Sequence, residues 1–379
     1  MTIKKALIVL LAVVLCVAVL AGCQSNNAKA EEAPQSASTP EVENKDSEAN
    51  TANETATEPA VPDVKPPEGK ELIEAVKQLP NEPLKFAFLG YKNNAFFIPI
   101  EQGVVAANEY LSNFNCSVEY VVMGDTISAE TCINAVETAV VKGYDAIALV
   151  PVNDGTFDAM NAAVDAGVSV FSTMGEGSEK MAGLVESKAL AFIGQEAYAA
   201  GQEAGKKIAE LMDGEGKMAI ITGYFTAAQH EDRKNGCIDY LAENYPDIEI
   251  VNIVEGKDDT KMHYDYVVDF LQKDPDLEIV YCCASGAYGA AEAINDLGMV
   301  GKTGVVCYDH LDENIKACRE GLIWAALDQK PYECAFNSLV YLYNYVVAGE
   351  EPPVDEDGNI FVPPTIMTPD NVNELYPQR

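Results

Sequence analysis

Leu84-Lys85-Phe86-Ala87-Phe88-Leu89-Gly90 is a short apolar run that ends in glycine, and a helical pattern of apolar residues follows it over 103–111. A second apolar run comes next, over 118–123. A buried strand, a helix and a second buried strand in this order are typical of the βαβ unit of a parallel sheet. This stretch therefore predicts an α/β protein.

The same alternation extends through the rest of the chain. Further elements are predicted over 129–142, 146–151, 156–166 and 168–172. A second series then begins, with strands over 190–193, 217–222, 249–254 and 278–283 and helices over 199–212, 232–244 and 264–272. Two such series predict two doubly wound parallel-sheet lobes, each covered by helices. Because ligands of open parallel sheets bind beyond the carboxyl ends of the strands, a cleft between the lobes is expected.

The N-terminus has the features of an export signal. Lys4 and Lys5 precede an apolar run over 6–20, which is too short to cross a bilayer comfortably, and Leu20-Ala21-Gly22-Cys23 follows. These last residues resemble the lipobox of bacterial lipoproteins, which implies a signal peptide of residues 1–22 and lipidation of Cys23. The alternative is an ordinary secretory peptide with an incidental cysteine, and both predict export.

Residues 23–83 have a different composition, rich in Ala, Glu, Asn, Ser, Thr and Pro. Such a stretch cannot bury enough apolar surface to offset its chain entropy, which predicts a disordered acidic tether. Within it, the apolar residues over 72–79 have helical spacing, so a short leading helix over 69–79 is the alternative for that part.

Charge and cysteine content exclude other classes. The chain has 25 basic and 60 acidic residues, a net charge of −35, so nucleic-acid binding is disfavoured because phosphate would be repelled. It has ten cysteines, but no CxxC pair occurs, and apart from Cys16 and Cys23 they lie mostly in apolar patterns. Buried free thiols are therefore predicted in place of disulfides or metal sites.

A family resemblance begins at Gly90-Tyr91-Lys92-Asn93-Asn94-Ala95-Phe96-Phe97, after the first predicted strand. This string is similar to the Asn-Asn-Pro-Phe-Phe signature of ribose-type periplasmic binding proteins, the type I sugar-binding proteins of ABC importers. Further strings occur in matching order: Lys142-Gly143-Tyr144-Asp145-Ala146-Ile147, Arg233-Lys234-Asn235-Gly236, Val305-Val306-Cys307-Tyr308-Asp309 and Gln329-Lys330-Pro331-Tyr332-Glu333. The resemblance covers roughly residues 84–372.

The resemblance implies how the two lobes are divided. The N-terminal lobe would comprise residues 84–192 plus 330–362, and the C-terminal lobe residues 193–329 plus 363–379. The chain would cross between them three times, near Ile193, Gln329 and Val362. Crossings of this kind would act as a hinge.

Six ligand-binding residues are implied by the resemblance: Asn94, Phe96, Phe97, Arg233, Asp309 and Gln329. The phenylalanine rings would stack on the apolar face of a sugar ring, and the polar side chains would hydrogen-bond its hydroxyls. The alternatives are core packing for the phenylalanines and a surface ion pair for Arg233.

Departures from the ribose pattern imply a different ligand. Met174-Gly175 stands where ribose-type proteins have Asp-Arg, Cys283-Ala284-Ser285 where they have Asn-Asp, and Asp258 where an aromatic residue closes their cleft. Further candidate contacts are Tyr91, Met174, His230, Asp258, Cys283 and His310. The two histidines are equally compatible with exposed loop positions, and no spacing in the sequence predicts a zinc or other metal site.

No nucleophile elbow, P-loop, HExxH or GxGxxG after a strand is present, so neither catalysis nor a cofactor is predicted; Cys283 is the one conceivable nucleophile. The prediction is an extracellular solute-binding lipoprotein, expected to be a monomer held to the membrane by its lipid alone, or periplasmic in a host with an outer membrane. It would capture a small polar ligand, expected to be a sugar, for the permease subunits of an ABC importer. A sensor that presents its closed form to a membrane receptor and a binder of a non-sugar solute such as a nucleoside are the alternatives.

Overall fold

Two six-stranded sheets form the frame of the molecule in a computed structural model that describes residues 61–92, 95–152, 154–174 and 187–377. The strands of the first sheet are β1 (Leu84–Gly90), β2 (Cys116–Val122), β3 (Ala146–Leu149), β4 (Ser169–Thr173), β5 (Phe192–Gly194) and β11 (Asn359–Phe361). Those of the second are β6 (Gly216–Thr222), β7 (Ile248–Glu255), β8 (Ile279–Cys282), β9 (Gly304–Tyr308), β10 (Ile323–Asp328) and β12 (Thr365–Met367).

The strand orders are β11-β5-β4-β3-β1-β2 and β12-β10-β9-β8-β6-β7. Every pairing is parallel except that of β12 with β10, which is antiparallel. In both sheets the strand order reverses beside the first strand of the series, as in other doubly wound folds. The predicted fold class, two parallel-sheet α/β lobes, is confirmed.

Helices cover both sheets and continue the βα alternation. Those of the N-terminal lobe are α1 (Phe97–Leu111), α2 (Ala129–Lys142), α3 (Phe157–Asp165) and α9 (Pro331–Ala348). Those of the C-terminal lobe are α4 (Ala197–Leu211), α5 (Ala228–Asn244), α6 (Thr260–Lys273), α7 (Ala287–Asp296), α8 (Asp312–Arg319) and α10 (Val372–Leu375). Two short 3₁₀ turns, Ser112–Phe114 and Asp154–Thr156, complete the described elements.

Each lobe has its own hydrophobic core, because its central strands are apolar on both faces. In β1, Phe86, Phe88 and Leu89 are fully buried, and they join one large cluster with residues from α1 and α9. The second sheet has one buried cluster against α6 and α7 and another against α4 and α5. Strands buried on both faces are what covered parallel sheets require.

Two glycines bring α4 and α5 into unusually close contact. A Cβ on Gly201 would lie 2.2 Å from the Arg233 carbonyl oxygen, and a Cβ on Gly236 would lie 2.1 Å from the Tyr198 carbonyl oxygen. Side chains larger than hydrogen would push the helices apart at both points. The close approach fixes the first turns of α5, which carry Arg233.

The chain passes between the two sheets three times, and the three passages are hydrogen-bonded together. Gln195, after β5, donates from Nε2 to the Asp328 carbonyl oxygen at the end of β10, at 3.0 Å. The Val362 backbone N–H, after β11, donates to the Gly194 carbonyl oxygen at 2.8 Å. Segments linked in this way can bend as one hinge while the lobes stay rigid.

Residues 70–79, which we call the docked segment, lie extended against α9 and α1 and contain no helix or strand. Their apolar side chains pack against the core of the N-terminal lobe. The alternative of a leading helix over 69–79 is therefore wrong, and this part of the predicted tether, which was expected to end at residue 83, is instead packed on the lobe.

Two asparagines of α9 hold the backbone of the docked segment. Asn337 accepts from the Ile73 N–H and donates to the Glu71 carbonyl oxygen, both at 3.0 Å. Asn344 repeats the pattern with the Val76 N–H at 2.8 Å and the Glu74 carbonyl oxygen at 3.1 Å. Two turns of helix rise about 11 Å and three extended residues span about 10 Å, so the spacings match. Because side chains already provide hydrogen-bond partners for these backbone N–H and C=O groups, the segment does not have to form a helix to satisfy them.

Eight cysteines lie in the described part of the chain, all of them buried and free of disulfides. Burial raises the pKa of each thiol, for example that of Cys132 to about 12. This confirms the prediction of buried free thiols, which behave as small apolar side chains. Within the same residues, no helix is both long and apolar enough to span a bilayer. The predicted signal peptide, Cys23 and the first part of the predicted tether lie outside the described residues.

Candidate ligand-binding cleft

A cavity of about 800 Å³ lies between the two lobes, and both line it. Its residues come from the segments that follow the carboxyl ends of the strands in each sheet. Those from the N-terminal lobe are Tyr91, Phe96, Phe97, Asp125, Thr126, Ile127, Val150, Pro151, Val152 and Met174. Those from the C-terminal lobe and its exit crossing are Tyr224, Thr226, Ala227, Gln229, His230, Arg233, Asp258, Ala284, Ser285, Asp309 and Gln329.

Aromatic rings dominate the N-terminal wall. The ring centroids of Tyr91 and Phe97 are 5.6 Å apart, those of Phe96 and Phe97 are 5.4 Å apart, and both pairs meet edge to face. Tyr91 is fully buried and its hydroxyl contacts the Thr131 hydroxyl at 2.9 Å, so it supports the wall from behind. Phe97 is 5% exposed, whereas Phe96 is only partly buried. Phe96 is thus the ring best placed to present a face to a ligand.

Arg233 organises the C-terminal wall. It is 2% exposed, and its guanidinium lies over the Tyr308 ring, 4.1 Å from the centroid. Nη1 donates to the Cys283 carbonyl oxygen at 3.3 Å, and Nη2 donates to Gln329 Oε1. Gln329 in turn donates from Nε2 to Asp309 Oδ1 at 2.6 Å. Nε of Arg233 is buried and has no partner within the described residues, so it is available to a ligand acceptor.

Three non-glycine residues of the cleft have left-handed backbones. The φ angles are +51° at Met174, +55° at Asp258 and +72° at Asp309. Each follows a strand end, and the turn directs the side chain into the cavity instead of along the sheet. Such conformations cost free energy of order 1–3 kcal/mol each and are concentrated at functional sites. Hydrogen bonds hold two of them, from the Met174 N–H to Ile193 at 3.2 Å and from the Asp309 N–H to Leu327 at 2.9 Å.

His230 is held as a neutral hydrogen-bond donor. Burial, followed by the nearby Arg233 charge, lowers its pKa to about 3, so the ring is uncharged at neutral pH. Its Nδ1 accepts from the Tyr224 backbone N–H at 3.2 Å, which places the single ring proton on Nε2. The Tyr224 ring stacks on the imidazole.

The carboxyls of Asp258 and Asp309 are the acceptors of the same wall. Burial, followed by repulsion from Asp309, raises the pKa of Asp258 to about 6, although the Ser285 backbone N–H and Arg233 oppose the rise. Burial also raises the pKa of Asp309, against the opposing effects of Arg233 and the Gln329 hydrogen bond. One oxygen of Asp258, Oδ1, is buried without a partner among the described residues.

Most residues singled out from the sequence meet in this cavity. Those that line it are Tyr91, Phe96, Phe97, Met174, His230, Arg233, Asp258, Asp309 and Gln329. Asn94 lies outside the described residues, as does Gly175. For Arg233, the alternative of a surface ion pair is wrong because the side chain is buried.

Cys283 and His310 are placed differently from the prediction. The Cys283 side chain is fully buried behind the wall, burial raises its thiol pKa to about 12, and only its carbonyl oxygen reaches Arg233. His310 points away from the cavity. Its Nδ1 contacts the Tyr376 hydroxyl at 2.7 Å and its Nε2 the Ala326 carbonyl oxygen at 2.9 Å. Neither side chain lines the cleft.

Sequence reasoning missed the loop after β2. Asp125, Thr126 and Ile127 line the cavity, as does Thr226 after β6. The rule that ligands bind beyond strand ends would have found them, because the loop follows the second predicted strand directly. Across the described part of the chain, no group of three or more His, Cys, Asp or Glu side chains could hold a metal ion.

Comparisons with known proteins agree with this architecture. A family model described as a periplasmic binding protein domain matches residues 86–351. The xylose/arabinose-binding protein XylF of Sulfolobus acidocaldarius is 24% identical over an alignment of 283 residues, and the match covers 72% of this chain and 68% of that protein. The D-allose-binding periplasmic protein of Escherichia coli is 27% identical over 168 residues, 44% of this chain and 54% of that protein.

Solved structures show the same fold. A periplasmic solute-binding protein of an ABC transporter from Actinobacillus succinogenes, with bound D-allose, has a TM-score of 0.68 at 23% identity, covering 77% of this chain and 99% of that one. The arabinose-binding protein AraP of Geobacillus stearothermophilus has a TM-score of 0.65 at 24% identity, covering 78% and 100%.

Proposed function

Because the chain belongs to the periplasmic binding protein family, we propose that it is an exported, lipid-anchored protein that captures a small polar solute, a sugar, between its lobes and delivers it to an ABC importer. One observation carries the proposal. A single cavity is lined by an aromatic wall from one lobe and by a buried hydrogen-bonding network from the other. A solute that contacts both walls favours the closed state over the open one, which is the basis of capture.

The chemistry of the two walls suits a sugar. A sugar ring has an apolar C–H face that stacks on an aromatic ring such as Phe96, and hydroxyls that both donate and accept. Arg233 and His230 are donors, and Asp258 and Asp309 are acceptors. The relatives named for xylose, arabinose and allose are binding proteins and not enzymes, so a binding role without catalysis is proposed.

Capture is tested by thermal melting of the purified full-length protein against pentoses, hexoses, deoxy and amino sugars, polyols, nucleosides and amino acids. A cognate solute at one hundred times its dissociation constant stabilises the fold by about 2.7 kcal/mol. A shift restricted to one class of sugar supports the proposal. If only a nucleoside shifts the melting temperature, the binding role is supported and the assignment of a sugar as the solute is rejected. Equal small shifts with all solutes contradict capture.

The anchor and the importer need separate measurements. Lipidation of Cys23 predicts that the protein fractionates with membranes and that Cys23→Ala releases it; retention of the variant contradicts the anchor. If deletion of the gene for this protein abolishes uptake of the solute by the cell, delivery to an importer is supported.

A sensor is the second candidate, because a closed state that solute binding favours could be recognised by a membrane receptor as well as by a permease. A protein of this fold can bind a second protein, since the solved structures include a complex of XylFII with LytSN, at a TM-score of 0.64 and 20% identity. In that case deletion removes a cellular response to the solute and leaves uptake intact.

A further inference from the structure

The charged groups of the cleft are unequal in number. On the C-terminal wall, Asp258 and Asp309 face one guanidinium, that of Arg233, and His230 is uncharged. Asp125 adds a third carboxyl on the opposite wall, although it is exposed. With the carboxyls of Asp258 and Asp309 both ionised, the C-terminal wall has an excess of one negative charge.

Arg233 makes its hydrogen bonds to groups other than Asp258. The two Nη groups are bonded to Cys283 and Gln329, and the guanidinium face lies on Tyr308. Gln329 lies between Arg233 and Asp309, so within the described residues the arginine is bonded to neither carboxyl. What Arg233 still offers a ligand is a single Nε–H.

Asp258 is set for a partner that the free protein does not supply. Its left-handed backbone directs the carboxyl into the cleft, and the buried Oδ1 has no hydrogen-bond partner among the described residues. The groups that act on it are Arg233 from α5, Asp309 after β9, Tyr224 after β6 and the Ser285 N–H after β8. His230 lines the same cavity.

Closure of the lobes makes this excess charge costly. Water leaves the cleft when a solute is enclosed, and an unpaired carboxylate in a dry site is strongly disfavoured. A neutral sugar can hydrogen-bond to the Asp258 carboxylate but supplies no counter-charge, so closure on it would favour protonation of Asp258. A cation in the solute would instead pair with the carboxylate and leave the C-terminal wall electrically neutral.

We propose that the solute carries a protonated amine that binds the Asp258 carboxylate, so that the cleft selects an amino sugar or amine-bearing polyol over the uncharged parent compound. Phe96 stacks on the ring of this solute, and Arg233 Nε and His230 Nε2 donate to its oxygens. The inference rests on the proposed function and deepens it, because it names the class of sugar.

Calorimetric titration of the purified full-length protein tests the preference with matched sets of three solutes. Each set holds a 2-amino sugar, its parent hexose and its N-acetyl derivative, in the gluco, galacto and manno series. In one series the amine is expected to bind at least about tenfold tighter than both uncharged members, the factor that corresponds to about 1.4 kcal/mol.

The pH dependence between 5 and 7, where a primary amine stays mostly protonated, distinguishes the two kinds of solute. Because an ammonium group favours ionised Asp258, amine affinity is full above pH 6 and falls by up to about tenfold per pH unit below it. A neutral sugar favours protonated Asp258, so its affinity rises as the pH falls. Opposite slopes support the inference.

Asp258→Asn keeps the size of the side chain and removes its charge. It is expected to abolish the preference for the amine and to flatten both slopes, whereas the exposed Asp276→Asn changes neither. The stability of the two proteins without solute is compared to check that the variant folds. Since the pKa of Asp258 is raised in the folded state, wild-type stability relative to Asp258→Asn rises as the pH falls through about 6.

Two results overturn the inference in distinguishable ways. If a parent sugar binds as tightly as its amine and its affinity increases toward pH 5, the proposed selectivity for an amine is rejected and the sugar-binding function is kept. If neither charged nor uncharged sugars bind, the proposed sugar-binding function fails and this inference fails with it.

Discussion

The two walls of the cleft are built by different means. The N-terminal wall is a local structure, in which Tyr91, Phe96 and Phe97 lie within seven residues of one another and pack edge to face. The C-terminal wall is a long-range structure, because Arg233 is bonded to Gln329, 96 residues further along the chain. One wall is mostly apolar, apart from Asp125 and Thr126, and the other offers fixed donors and acceptors.

This difference determines what each wall contributes. Polar groups that are held in place before the ligand arrives require little reorganisation on binding, but the loss of one leaves its buried partners unsatisfied. Truncation of an apolar side chain leaves no buried polar group without its hydrogen-bond partner. The polar wall should therefore control affinity and selectivity, and the aromatic wall should add a smaller contribution from shape and stacking.

The largest effect is expected for Arg233→Ala. It leaves Gln329 Oε1 and the Cys283 carbonyl oxygen unpaired and removes the cation beside Asp309. Loss of one member of a buried, hydrogen-bonded charged network costs about 2–5 kcal/mol of binding free energy, or roughly 30- to 5,000-fold in affinity. Calorimetric titration with the best solute measures it.

Arg233→Lys is the control for this variant. It keeps the charge but lacks the planar fork, so an intermediate loss is expected. If Arg233→Ala binds within about threefold of the wild type while remaining folded by circular dichroism, the two walls do not differ as described.

A smaller effect is expected for Phe96→Ala. The ring is only partly buried and offers stacking and apolar contact, so the expected loss is about 1–2 kcal/mol. Titration with the same solute gives the value. Phe96→Tyr retains the ring face and should bind nearly as the wild type does. A loss equal to that of Arg233→Ala would contradict the ranking of the walls.

The smallest effect is expected for Met174→Leu. Met174 is buried in the N-terminal wall. If this wall acts by shape alone, a volume-conserving apolar exchange should cost less than about 1.5 kcal/mol. Affinity would then change by less than about tenfold, and a larger loss would show that the thioether contacts the solute specifically.

The fold could be predicted from the sequence because its signals are local. The apolar run over 84–90 matches β1 residue for residue. Helix α1, in contrast, begins at Phe97 and not near residue 103. Pro99 and the aromatic pair at its start obscured the helical pattern, although proline is tolerated in a first turn.

The candidate site could be predicted only in part. Arg233, Asp309 and Gln329 could be singled out together because the family resemblance implies all three. The direction of each side chain could not be predicted. Asp309 and His310 are adjacent, yet the left-handed backbone at Asp309 sends one side chain into the cleft and the other toward Tyr376. No sequence pattern encodes that turn, because aspartate adopts several backbone conformations.

The docked segment was missed for a similar reason. Its apolar spacing fits a helix, but Asn337 and Asn344 take the backbone groups that a helix would use. Contacts between residues more than 260 positions apart are invisible to local periodicity.

The same asparagine contacts have a mechanical meaning. The segment runs parallel to α9, so a pull directed along it from residue 61 loads both pairs of hydrogen bonds together, in shear, and does not peel them off one at a time. The N-terminal end of the docked segment, which would take up the pull, lies beside the hinge. There Glu71 pairs with Lys330 at 2.7 Å, one residue from Gln329. Tension on the N-terminal side of the chain would thus be borne by the N-terminal lobe at the crossing that also supplies the cleft with Gln329.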